Sequence, residues 1–291
     1  MNTVINIVVQ GILLGALYGL FAMGQSLVFG VMRLTNIAHG DFIVLLAFVL
    51  LALTGVAQLP LAVSLALLPA IAFGAGYALQ YAVLNRVSSR DPLPSLIVTF
   101  GLSIVIQNVL QQVFSADPRA ISTGSFEAKS LALGGGLSVG CLPLVTLAVT
   151  LALAFAMQWL FGRTPLGRAF RATSDDREIV QLMGVSYRRT YALAMGIAFV
   201  LIAAAAALYA MRTAVSPTDG PALLLYAFEA VIIGGMGSFW GTVAGGMALG
   251  VAQQAGFYFD PGWGIWLGHV VFLCVLVVRP QGLVPKTAKT A

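Results

Sequence analysis

Long apolar stretches alternate with short polar ones along the whole chain. Residues 1–32 contain no charged side chain, and neither do residues 42–85. Each run exceeds the roughly 20 apolar residues that cross a bilayer core. Hydropathy predicts spans over 4–30, 38–57, 60–84, 94–114, 139–161, 191–211, 222–236, 240–258 and 264–278. The stretch 222–236 is too short to cross unaided. It reads as a re-entrant segment or half of a broken helix, turning near Gly234–Ser238 and returning along 240–258. In lipid every backbone amide and carbonyl must be paired internally, which helices do within one segment. The alternation that a β-barrel needs is absent. The pattern predicts an all-α polytopic membrane protein with about 8 crossings, in the range 7–9, and broken or re-entrant segments. It predicts a single transmembrane domain over 1–291, with 163–189 as a charged loop inside it.

Composition agrees. The chain is 59% hydrophobic and 9% charged, with mean hydropathy +0.96. A soluble domain carries about 25% charged residues. The net charge of +5 is a topology signal, because the bases sit in the loops, and no nucleic-acid partner is expected. Lysines and arginines collect on the cytoplasmic side. Arg86 and Arg90, the arginines of 163–189, and Arg279, Lys286 and Lys289 then lie inside. This places the N-terminus outside, the C-terminus in the cytoplasm and the Gly-rich segment 115–138 outside. No positively charged leader region precedes the first span. Cys141 and Cys274 have no metal-ligand spacing and imply no disulfide framework.

Small and polar residues inside the apolar runs are informative. Gly11, Gly15 and Gly19 recur every fourth residue, as do Gly237, Gly241 and Gly245. Such residues let helix backbones approach closely, within the subunit or at a subunit interface. Residues 30–42, GVMRLTNIAHGDF, set Arg33, Asn36, His39 and Asp41 between two apolar runs. They form either a cytoplasmic turn or an unwound break lining a transport path, since irregular backbone at depth is tolerated where it is buried in protein or borders a cavity. Asn36, His39, Gly40 and Asp41, with Gly234, Gly235 and Gly237 of the second irregular stretch, are the candidate path residues. A metal at His39 is not supported by any neighbouring ligand. Glu229 is expected at the interface near an outer helix end, or else facing a cavity or partner. His269 reads as a structural histidine, and Gln25, Gln107 and Asn108 as interhelical hydrogen-bonding residues.

The stretch 163–189 carries six arginines and three acids. Asp175 and Glu178 have capping-box-like spacing. With Asp176 they crowd a helix start, where the macrodipole favours negative charge. Ile179, Leu182 and Met183 then share one face, and Gly184 is a C-terminal stop. The result is an amphipathic helix of about two turns, from Asp176 to Gly184, too short to be stable alone in water. It needs a receiving surface, either a protein groove or the lipid headgroups.

This segment resembles the coupling loop of ABC importer permeases, whose Glu-Ala-Ala…Gly motif falls here on Glu178, Ile179, Val180 and Gly184. RTPLGRAFRATSDDREIVQLMGV, LTNIAHGDF, IIGGMGSFWGTVAGG and RPQGL together resemble branched-chain amino-acid permeases of the LivH type, in order along nearly the whole chain. Trp240 departs from the proline common in that glycine turn, and Glu229 from a usually small or apolar residue. The resemblance implies a type II-like ABC importer permease that moves branched-chain or other small amino acids, or alternatively urea or short amides. It implies a second homologous permease, two cytoplasmic ATPases, an external solute-binding protein and surrounding lipid as partners. Arg171, Asp175, Asp176, Glu178, Ile179, Leu182, Met183 and Gly184 would contact the ATPase. The chain has no Gly-x-x-x-x-Gly-Lys-Ser/Thr loop, so no cofactor is expected on it. ATP–Mg would belong to the partners, and the chain is not itself expected to be an enzyme. An ion-coupled secondary transporter, with Asp41 or Glu229 as ion site, is the alternative class. A membrane enzyme lacks converging ligands, and a pure scaffold has little use for irregular backbone at depth.

Overall fold

A computed structural model describes residues 2–87, 93–121, 129–134 and 137–284. Arg90, Lys286 and Lys289, used above for orientation, lie outside the described residues. The elements in order are α1 (Asn2–Met32), α2 (His39–Leu51), α3 (Leu61–Leu79), α4 (Asn85–Val87), α5 (Leu93–Phe114), β1 (Ser130–Gly134), β2 (Leu137–Gly140), α6 (Cys141–Arg163), α7 (Pro165–Asp175), α8 (Arg177–Leu182), α9 (Tyr187–Arg212), α10 (Gly220–Gly234), α11 (Phe239–Phe259) and α12 (Trp263–Val278). Wider π turns extend α2 through Ala52–Val56 and join α3 to α4 through Gln80–Leu84. Among the described residues, 6 helices are long and apolar enough to cross a membrane. α10 and α11 form a pair bent by 116°, and α12 is a shorter apolar helix. The protein is therefore a multi-pass, all-α membrane protein, with the break in 222–258 where the glycines place it.

Two short elements depart from the sequence reading. β1 and β2 pair antiparallel at the end of the Gly-rich stretch 115–138, for which no element was predicted. The charged loop holds two helices, α7 and α8, where one was expected.

The described residues fall into two compact units. Unit 1 comprises Met1–Ser26, Ser122–Ala154 and Tyr226–Ala291. Its helices meet through glycine. A Cβ on Gly15 would lie 2.3 Å from the Gly246 carbonyl oxygen, and one on Gly246 would lie 2.4 Å from the Gly19 nitrogen. Gly11, Gly15 and Gly19 thus pack α1 against α11, whereas Gly241 and Gly245 face α10, where a Cβ on each would lie 2.2 Å from the Gly234 and Ala230 carbonyl oxygens. Thr150 adds a hydrogen bond from α6 to the Ala16 carbonyl, at 3.0 Å.

Unit 2 comprises Leu27–Ile121 and Phe155–Leu225. The buried helix α9 is its centre, with α2, α3, α7 and α8 against it. α3 buries Ser64, Leu68, Ala72 and Gly76, one residue per turn, so a single stripe faces inward. At Gly76 a Cβ would meet the Phe199 ring at 2.6 Å, and at Gly196 one would meet Phe73 at 2.8 Å. Phe42 packs on Phe199, with ring centroids 4.7 Å apart, and Phe48 on Phe114 at 5.0 Å.

Candidate functional site

The charged loop is built from its caps outward. Pro165 opens α7, and Thr164 caps it, its Oγ1 accepting from the Gly167 amide at 3.1 Å. Proline suits this position, where its missing N–H is not needed. Gly167 lets α7 fold back onto the end of α6, for a Cβ there would lie 2.2 Å from the Leu160 carbonyl oxygen. Arg171 donates to the Phe161 carbonyl, and Ser174 Oγ to the Gly30 carbonyl at 2.9 Å. Phe170 fills the space beneath. Arg171 therefore braces α7 against α6.

The cap of the following helix falls one residue later than the spacing suggested. Asp175 ends α7, and Asp176, in extended conformation, caps α8. Asp176 Oδ1 accepts from the amides of Glu178 at 2.8 Å and Ile179 at 3.0 Å. The physical reason is α7 itself: Asp175 is spent closing that helix. Gly184 stops the segment at φ +83°, and Val185 returns an amide to the Val180 carbonyl at 3.2 Å. Val180 is buried, while Ile179, Leu182 and Met183 are 56%, 88% and 78% exposed. A rigidly held two-helix bracket thus presents three large apolar side chains outward.

The break after α1 is ordered. Arg33 takes φ +53°, a left-handed conformation that costs a non-glycine residue free energy. Two backbone N–H groups that the break frees find side-chain partners: Ala38 on Asn36 Oδ1 at 3.1 Å, and Ile37 on Thr99 Oγ1 at 3.3 Å. Asn36, His39 and Asp41 are buried. Asp41 accepts from Gln107 Nε2 at 2.9 Å, so Gln107 joins two helices as expected. Gly40 allows close contact with α10, where a Cβ would lie 1.9 Å from the Gly220 carbonyl oxygen. Asn108 instead bonds its own helix at Ile104, and neither polar atom of buried Gln25 has a partner.

The second irregular stretch carries Gly235 at φ +101° and Gly237 at φ +81°. Ser238 caps α11, accepting from the Gly241 amide at 3.1 Å. The closing segment clamps this turn: Leu283 donates to Ile233 at 2.8 Å and Val284 to Gly234 at 3.1 Å. The Gly234–Gly237 turn and RPQGL, far apart in sequence, are therefore one structural feature.

Glu229 is buried within α10 and does not reach solvent. It is 1% exposed, and its Oε1 lies 2.5 Å from His269 Nδ1. Sequence reasoning missed this pair because the two residues lie on different helices. The available signal was that each is an ionisable group within a long apolar run.

Comparison with known proteins places this geometry in context. The model of a family described as "Branched-chain amino acid transport system / permease component" matches residues 7–279. The high-affinity branched-chain amino acid transport system permease protein BraD of Pseudomonas aeruginosa is 30% identical over 288 residues, covering 94% of each chain. The corresponding LivH of Escherichia coli is 26% identical over 94% of this chain and 93% of its own. The LivM permease protein of the same organism is 27% identical over 93% of this chain and 68% of its own.

Proposed function

The chain belongs to the branched-chain amino acid transport permease family, and from that premise we propose that it is one of two membrane subunits of an ATP-driven importer. Its cargo is a branched-chain or other small amino acid. Its partners are a second, homologous permease, two cytoplasmic ATPases and an external solute-binding protein, in a bacterial inner membrane with the N-terminus outside. That two sequence-related proteins of one organism, LivH and LivM, both match this chain supports a paired arrangement. ATP–Mg is handled by the ATPases, since the sequence has no phosphate-binding loop.

One observation carries the coupling role: Ile179, Leu182 and Met183 stand exposed on a helix whose base is fixed by caps and by Arg171. A six-residue helix is unstable alone, so its rigid mounting suits it to pass on a push. The ATPase receives this apolar edge in a groove. Closure of the motor pair moves α7 and α8, and rigid-body rocking of the helices they join opens the path to the other side. The path residues in this reading are Asn36 in the break after α1, His39, Gly40 and Asp41 at the start of α2, Gly234 at the end of α10, and Gly235 and Gly237 in the turn that follows.

The test is the assembled complex carrying Glu178→Arg with Gly184→Pro. Proline holds φ near −65° and cannot take the +83° of Gly184. Loss of ATPase co-purification or of ATP-dependent uptake is expected. Unchanged assembly and unchanged uptake together would end the coupling assignment.

A further inference from the structure

A buried polar cluster in unit 1 has no part in the coupling just described. Four helices supply it: Tyr18 from α1, Tyr226 and Glu229 from α10, Gln253 from α11 and His269 from α12. The rings of Tyr18 and Tyr226 stack with centroids 4.7 Å apart, and Tyr226 and His269 lie nearly parallel at 6.4 Å and 14°. Tyr18 donates its hydroxyl to Gln253 Oε1 at 2.6 Å. Glycine makes the assembly possible, because a Cβ on Gly268 would meet Gln253 Cγ at 2.7 Å.

Two atoms of this cluster are unused. Glu229 Oε2 and Gln253 Nε2 are buried without a hydrogen-bond partner. Among the described residues Glu229 pairs with His269 and with no Lys or Arg. When a neutral imidazole donates from Nδ1 to Oε1, the pair keeps one negative charge. A carboxylate in an apolar span is costly unless compensated, and a buried acceptor left unpaired adds to that cost. The faces of the neighbouring rings are also electronegative and attract cations. In that state the cluster is short of one positive charge, and of one hydrogen-bond donor at Oε2. It is not sealed, since the His269 side chain is 31% exposed.

A primary ammonium group supplies both missing things: charge for the carboxylate and rings, and N–H donors for Oε2. We infer that Glu229, with Tyr226 beside it and His269 as the residue that positions its carboxylate, is a subsite for the ammonium group of a solute. This rests on the reading of the chain as a solute permease, and it favours amines and amino acids over uncharged amides and urea.

The chain has 2 histidines, His39 and His269, so ring-¹⁵N-labelled histidine gives a two-residue spectrum with an internal control. The probes for the full-length chain in lipid nanodiscs are leucine, isoamylamine, which lacks the carboxylate, and 4-methylpentanoate, which lacks the ammonium. The expected result is a saturable shift of the His269 resonances with leucine and isoamylamine, none with 4-methylpentanoate, and none at His39. Glu229→Gln should raise the midpoint concentration on the order of tenfold or more, the effect of losing a charged hydrogen bond. If that variant fails to fold, Glu229→Leu with His269→Phe removes the charge while filling the space. Leucine binding to that double variant, read by equilibrium dialysis, should fall as far. No response to isoamylamine, an equal response to 4-methylpentanoate, or full affinity in the charge-free variants would overturn the assignment. Wild-type uptake driven by ATP beside a silent His269 would remove the subsite and leave the permease reading intact. A responsive His269 beside absent ATP-driven uptake would do the reverse.

Discussion

Asp176 shows how much can rest on one carboxylate. Its two amide bonds start α8. Asp176→Ala should cost about 1 kcal/mol of local helix stability, as for other lost N-caps. Amide hydrogen exchange over 177–183 should speed up while α9 stays protected; unchanged exchange would contradict the capping role. Gly246 tests packing in the same way. Its missing Cβ leaves room for the Gly19 backbone, so Gly246→Val should destabilise by about 1–3 kcal/mol or more through overpacking. Gly74, which has nothing within 4 Å of its Cβ position, is the control. A thermal unfolding scan in detergent should lower the midpoint for Gly246→Val and leave Gly74→Ala near wild type. Residue-level contacts were the least legible part of the sequence. Periodicity revealed that Gly11, Gly15 and Gly19 pack closely, because the repeat stays on one helix face. It could not reveal that Glu229 meets His269, because that contact depends on how α10 and α12 sit together.

At the scale of elements, the spans were legible because lipid imposes a length and a composition on anything that crosses it. The break after α1 and the turn after α10 were legible for the complementary reason: polar residues and glycines interrupt runs that otherwise lack them. The β1–β2 hairpin was not, since strands of only 5 and 4 residues are too short for a period to stand out. α7 was hidden by its charges, although Thr164-Pro165 is a helix-start signal. Asn36 is the element-scale test of the break. Asn36→Leu removes the acceptor for the Ala38 amide, leaving a buried donor unpaired, at a cost of about 1–3 kcal/mol. Reduced thermal stability with faster exchange at 37–39 is expected; wild-type exchange there would show that the side chain does not order the break. The exposed edge of α8 has its own test. Leu182→Asp with Met183→Asp should leave the unfolding free energy within about 1 kcal/mol of wild type, because exposed positions contribute little to folding. The same variant should abolish co-purification of the ATPase. Retained co-purification would mean that the apolar edge meets something else.

For the whole molecule, the sequence motifs and the three-dimensional structure support each other at specific places. IIGGMGSFWGTVAGG and RPQGL were separate signatures in the chain, and they join where the Leu283 amide donates to the Ile233 carbonyl. TPLGRAFRATSDDREIVQLMG is the α7–α8 bracket, continuous and capped at both helices. What remained beyond the sequence was the identity of the cargo, because solute choice depends on a few polar atoms converging from distant helices. The central claim is that ATP hydrolysed by partner subunits drives solute through this chain. It is tested most directly by uptake of labelled leucine into sealed vesicles holding the assembled complex, with the solute-binding protein outside and ATP inside. The account predicts accumulation that requires ATP, survives collapse of the ion gradients by ionophores, and is lost in the Glu178→Arg, Gly184→Pro complex. Accumulation that persists without ATP and vanishes with the ion gradient would contradict it.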